Sequence, residues 1–159
     1  MTPRKELYIK TKLALMEINQ LELVDFFRGQ FNEGKDTYPN IFTAALIRIG
    51  KIQYDTMTEH RQEGLATLEI ILYCKDGWMD QHNTTADPEH GFMEIDLQDV
   101  IVEKLQFLKG EQFKPLQQTD DDTEEATPEG IMAFKSTFSM RIYRIINPKY
   151  TNRRIILTP

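Results

Sequence analysis

Little in this sequence can cross-link, ligate a metal or enter a membrane. Cys74 is its only cysteine, so no intramolecular disulfide can form and nothing favours an oxidising compartment. No window approaches 18 consecutive apolar residues, and Met1-Thr2-Pro3-Arg4-Lys5-Glu6 leads into an amphipathic pattern rather than an unbroken apolar core. The expectation is therefore a cytosolic chain with no membrane partner. The eight glycines never form GxGxxG or GxxxxGK[ST], which removes those two phosphate cradles and any cofactor held by them. With a formal net charge of -6, the chain lacks the basic excess that would draw it to nucleic acid or anionic lipid.

The nucleophiles and ligands that remain are badly placed for chemistry. His82 and His90, with Asp80, Asp87 or Glu89, would have to make a metal site from one loop, and their spacing matches no compact zinc pattern. Asp120-Asp121-Asp122 are consecutive, so their side chains diverge, whereas calcium loops use alternating ligands and a glycine turn. Ser136 and Ser139 lie inside a strand pattern without a G-x-S-x-G context. The expectation is a protein with no catalytic residue, metal or cofactor.

What the chain does contain is periodicity. Thr2-Pro3 starts a helix over Pro3 to Met16, since threonine caps a free N–H and proline at the first position has none to orphan. Leu7, Lys10 or Thr11, Ala14 and Ile18 recur at helical spacing, with Leu13 and Met16 alongside. Leu21 to Phe27 favours a short strand. Ile41 to Tyr54 is β-branched and changes phase at Gly50, as a bulge would make it do. Leu65 to Cys74 is a second strand, paired with the first through a loop of about ten residues, longer than tight hairpins use.

After a loop over Asp76 to Phe92, Asp96 has the position of an N-cap for a helix running to Leu108, with Gly110 placed for a left-handed stop. Phe113 to Thr119 fits a short strand at a sheet edge. Ile131 to Ile145 then alternates: Met132, Phe134, Ser136, Phe138, Met140 and Ile142 form the buried row, and Lys135, Thr137 and Arg141 the opposite one. Runs of strands with helices outside them predict an α+β domain, a mostly antiparallel sheet of about four strands with two helices packed on one face. Residues 1–146 read as one domain and 147–159 as a basic C-terminal tail, an extended arm. The opposite sheet face is expected either in water or against another copy.

Charge is unevenly placed. Asp120 to Glu129 holds six acids in what reads as a projecting loop, and the last sixteen residues carry Arg144, Lys149, Arg153 and Arg154 with no acid. Complementary contact between copies is the functional reading of that asymmetry. The candidate interface residues are Asp120, Asp121, Asp122, Glu124 and Glu125, with Arg153 and Arg154. Trp78, following the second strand, either covers the end of the core or joins them as an anchor, since tryptophan and arginine dominate interface energies.

The order of these elements resembles the tail terminator, or tail completion, family of long-tailed phages. The likeness rests on the helix from Pro3, on Tyr38-Pro39-Asn40-Ile41-Phe42-Thr43-Ala44-Ala45-Leu46-Ile47 leading into a strand, and on the strand Leu65 to Cys74. It continues through the single helix Asp96 to Leu108 and the ending Glu129-Gly130-Ile131-Met132-Ala133-Phe134, a glycine-led last strand after a long loop. The resemblance implies a structural virion protein, active in the host cytoplasm during assembly and then at the head-proximal end of the tail. It implies a homo-oligomeric ring, hexameric, that caps the tail tube, ends its polymerisation and meets the head-tail connector. A head-closure or neck protein is the nearer alternative; a hydrolase or nuclease is the more distant one. The loop Asp76 to Phe92 and the tail Asn147 to Pro159 depart from the family pattern.

Overall fold

In a computed structural model, residues 1–32, 41, 43–75, 93–124 and 131–147 are described. Helix α1, Pro3–Leu15, begins where the sequence places it. Thr2 is extended at ψ 151°, and its hydroxyl accepts from the Lys5 N–H. Buried Leu7, Thr11 and Leu15 form its inner stripe, while Leu13 and Met16 are exposed. Strand β1, Leu23–Phe26, follows and pairs in parallel with β2, Thr43–Thr58. Strand β3, Arg61–Lys75, is antiparallel to β2; helix α2, Met93–Leu105, precedes the edge strand β4, Gln117–Thr123, and β5, Ile131–Ile145.

The sheet therefore has five strands in the order β1-β2-β3-β5-β4. It is mixed rather than purely antiparallel, one strand more than expected, and remains an α+β arrangement. Leu7, Leu15, Leu97, Ile101 and Leu105 of the helices pack on Ile47, Leu68, Ile70, Phe138 and Ile142 of one sheet face. The buried row of β5 follows its alternation from Ser136 on, with Ser136, Phe138, Met140 and Ile142 almost fully enclosed, but Met132 and Phe134 are half-buried and Ile131 and Ala133 are buried on the other face.

Three local expectations change and one holds. The β2–β3 hairpin pairs out to Thr58 and Arg61, so its turn is the two residues Glu59-His60 and not a ten-residue loop. Its distal half projects with exposed side chains, which is why no apolar alternation marks it in the sequence. The shift in register between Ile49 and Ile52 is the bulge expected at Gly50, where a Cβ would lie 2.3 Å from the Thr67 hydroxyl. Helix α2 starts three residues before Asp96. It stops without help from Gly110: the left-handed residue is Phe107, at φ 65°. Gly110 serves close approach instead, because a Cβ there would sit 2.3 Å from the Phe113 ring and 2.7 Å from the Glu6 carboxylate.

The second sheet face is neither wholly wet nor left to another copy. Phe31, from the segment after β1, covers a smaller apolar cluster of Ala44, Leu46, Ile71, Tyr73 and Ala133. Its ring lies 4.9 Å from that of Tyr73. Beyond this cluster the same face becomes polar.

Candidate assembly surface

Asp120 to Thr123, the described start of the acidic stretch, lie in a strand rather than a projecting loop. Asp120, Asp121 and Asp122 pair with Thr137, Ser136 and Lys135 of β5. Alternation then separates the three carboxylates. Asp120 and Asp122 share the polar sheet face, and Asp121 turns to the helix side, where Gln98 of α2 donates to it. Burial, with repulsion from Asp99 and Asp120, pushes the Asp121 carboxyl above its usual range, although the Gln98 bond opposes the shift.

A raised carboxyl pKa means that the folded state holds the proton more tightly than the unfolded chain does. The penalty is therefore complete above the folded pKa and fades as pH falls towards the unfolded value. Asp121→Asn removes this penalty and keeps an oxygen for Gln98. We expect its stability at neutral pH to be unchanged or raised by up to about 0.5 kcal/mol, small because solvent screens so exposed a side chain. A urea midpoint lowered at neutral pH would contradict this.

The outer-edge donors of β4 are occupied by side chains. The Gln118 N–H donates to the Gln106 amide oxygen at 3.0 Å, that of Asp121 to Asp120 at 3.1 Å and that of Thr123 to Asp122 at 2.8 Å. Glu124 N–H, by contrast, points inward to the Ala133 carbonyl at 2.9 Å. A register shift between Gln118 and Asp120 adds a bulge. Charge, bulge and occupied donors all oppose the pairing of another strand here. Contact through β4 would thus use its carboxylates.

On the polar face, Arg48 is the hub of a charge lattice. It bonds Glu69 across the β2–β3 pair, lies 3.5 Å from Glu124 and stacks 5.0 Å from the Phe27 ring centroid. Lys135 stands 3.6 Å from Asp122 and 4.0 Å from Glu124. Asp122 and Glu124 are thereby already paired within the chain, whereas Asp120 has no cationic partner among the described residues. The partners Arg48, Glu69 and Lys135 lie far from Asp122 and Glu124 in sequence, and only strand register brings them together.

At the opposite end of α2 lies a groove of about 590 Å³. Glu22, Glu94 and Asp96 supply carboxylates to its wall, and Met93, Leu97 and Val100 supply apolar surface. Glu94 is 7% exposed, and its Oε2 has no hydrogen-bond partner among the described residues. The start of a helix favours an acid electrostatically but gives this oxygen no donor. The sequence reading missed Glu94 because it took Asp96 for the cap; the acid pair in a first helical turn was the available signal.

Trp78, Glu125, Arg153 and Arg154 lie outside the described residues, as do Asp80, His82, Asp87, Glu89 and His90. Among the described residues no three metal-ligating side chains converge, and none of the helices is long and apolar enough to cross a membrane. Cys74 is buried, and desolvation pushes its thiol up to about 12, which keeps it protonated and unreactive.

No known family profile matches the sequence, and no curated protein matches it. The fold, however, is similar to that of a chain in the solved virion of a native gene transfer agent particle. The TM-score is 0.56 over 89% of this chain and 97% of that one, at 10% sequence identity, a likeness of fold rather than of residues.

Proposed function

We propose that the protein is a structural component of a phage-like virion that forms a homo-oligomeric ring, hexameric, on the end of the tail tube. There it stops tube polymerisation and offers a surface to the head-tail connector. The observation that carries this reading is the likeness to a chain of a gene transfer agent virion over nearly the full length of both. It agrees with the element order that resembles tail terminators. The protein acts by stoichiometric binding, not catalysis. Its ring contacts use side chains of the sheet and helices, with Trp78 as an anchor. Of the acids Asp120, Asp121, Asp122, Glu124 and Glu125, those on the polar face, Asp120 foremost, meet a basic neighbour, and Arg153 and Arg154 belong to the basic tail.

Light scattering tests the ring. The expected mass is roughly 112 kDa, six copies of an 18.7 kDa chain, alone or on added tail tubes. A chain monomeric at high concentration, and still so with tubes present, would end this reading. The electrostatic part is tested with Asp120→Lys, since Asp120 has no ion pair to lose among the described residues. Assembly should weaken more at low salt than at high salt, because screening suppresses exposed charge contacts. Equal assembly at both would remove β4 from the interface. A protein found instead between connector and head in assembled particles would be a neck component.

A further inference from the structure

Resting on the homo-oligomer reading, we propose that the groove at the start of α2 receives the arginine pair Arg153-Arg154 of a second copy of this chain. The groove joins three carboxylates to an apolar wall, and one of them, Glu94, is nearly buried with an oxygen that has no hydrogen-bond partner among the described residues. Such a site fits a guanidinium whose stem lies on Met93 and Val100, which are 58% and 37% exposed. The chain supplies that chemistry once, in Arg153-Arg154-Ile155-Ile156-Leu157, where two cations precede three large apolar residues.

Reach decides which copy provides it. The groove includes Thr43, which pairs with Cys74, which in turn pairs with Met132 at the start of β5. The chain leaves from the far end, where Ile145 pairs with Arg61 and the Ile146 N–H donates to the His60 carbonyl. Met132 to Ile145 spans about 43 Å at roughly 3.3 Å per residue. From Asn147, Arg154 extends at most about 25 Å. Even with its side chain outstretched it falls short of its own groove, so the occupant comes from another copy. Head-to-tail insertion of this kind is heterologous and closes into a ring when the rotation permits.

The test uses full chains carrying either Val100→Cys at the groove rim or Ile156→Cys beside the arginines. Buried Cys74 leaves the background silent. Mixed under mild oxidation, the two should give a disulfide-linked dimer. Glu94→Gln in the Val100→Cys chain should lower its yield about tenfold, the effect of losing a charge-assisted hydrogen bond. Glutamine keeps the shape, and an unchanged melting temperature verifies the fold. No cross-link, a yield indifferent to Glu94→Gln, or a link formed within one chain carrying both cysteines would each overturn the docking. An intact ring by light scattering without that cross-link would remove the arm and spare the ring; a monomer would remove both.

Discussion

Phe138→Ala should cost about 3–5 kcal/mol of folding stability and lower the melting temperature by about 10–15 °C. The ring is fully buried, central in β5, with Leu68 beside it on β3 and Gln118 on β4. Removing it forfeits transfer energy and leaves a cavity between helices and sheet that close-packed neighbours only partly fill. In a domain whose total stability is about 5–15 kcal/mol, that is a large share. Thr137→Ala, one residue away on the polar face, should change stability by about 0.5 kcal/mol or less. Urea denaturation of both reads the contrast directly. A Phe138→Ala loss near that of Thr137→Ala would mean that the row is not packed as described.

The same strand explains which parts of the fold were legible in the sequence. β5 could be bounded at Ile131 and Ile145 because each second residue from Phe134 to Ile142 lies on the helix side, and burial of one face is what produces alternation. β4 has no such mark: Gln-Gln-Thr-Asp-Asp-Asp-Thr is poor strand sequence, and its extended state comes from pairing with β5. The edge strand expected over Phe113 to Thr119 overlaps only the first three residues of β4, and local composition indicated a loop from Asp120 on, where tertiary context makes a strand. The hairpin tip failed for the related reason that both its faces are exposed. Gly110 misled through the opposite error, a local rule of helix stopping applied where the glycine answers to Phe113 and Glu6.

The candidate surface was legible in part. Its acids were visible as a charge run, but not their division: Asp122 and Glu124 are neutralised by Lys135 and Arg48, Asp121 is held by Gln98, and Asp120 alone keeps its charge unpaired among the described residues. Register set that division, and no linear spacing encodes it. Glu94 was hidden because its significance is a missing partner, a property of three-dimensional surroundings.

Glu6→Ala should destabilise by about 2–3 kcal/mol, although a glutamate in a first helical turn looks like ordinary surface. The side chain is 6% exposed and ties α1 to the segment after α2. Its Oε1 accepts from the Glu111 N–H at 2.8 Å and its Oε2 from the Gln112 N–H at 2.9 Å. Lys10 stands 4.0 Å away. Alanine leaves two backbone donors without an acceptor and opens space beside Gly110, whose lack of a Cβ lets Phe113 and the carboxylate meet there. Loss of two charge-assisted bonds sets the magnitude, moderated by water reaching the open side of the site. Glu6→Gln should lose roughly half as much, since one amide oxygen still accepts while the NH₂ faces the other donor. Denaturant midpoints for the two variants should fall in that order. If Glu6→Ala costs under about 0.5 kcal/mol, water replaces the carboxylate and the bridge between α1 and α2 rests on Leu7 and Phe113 instead.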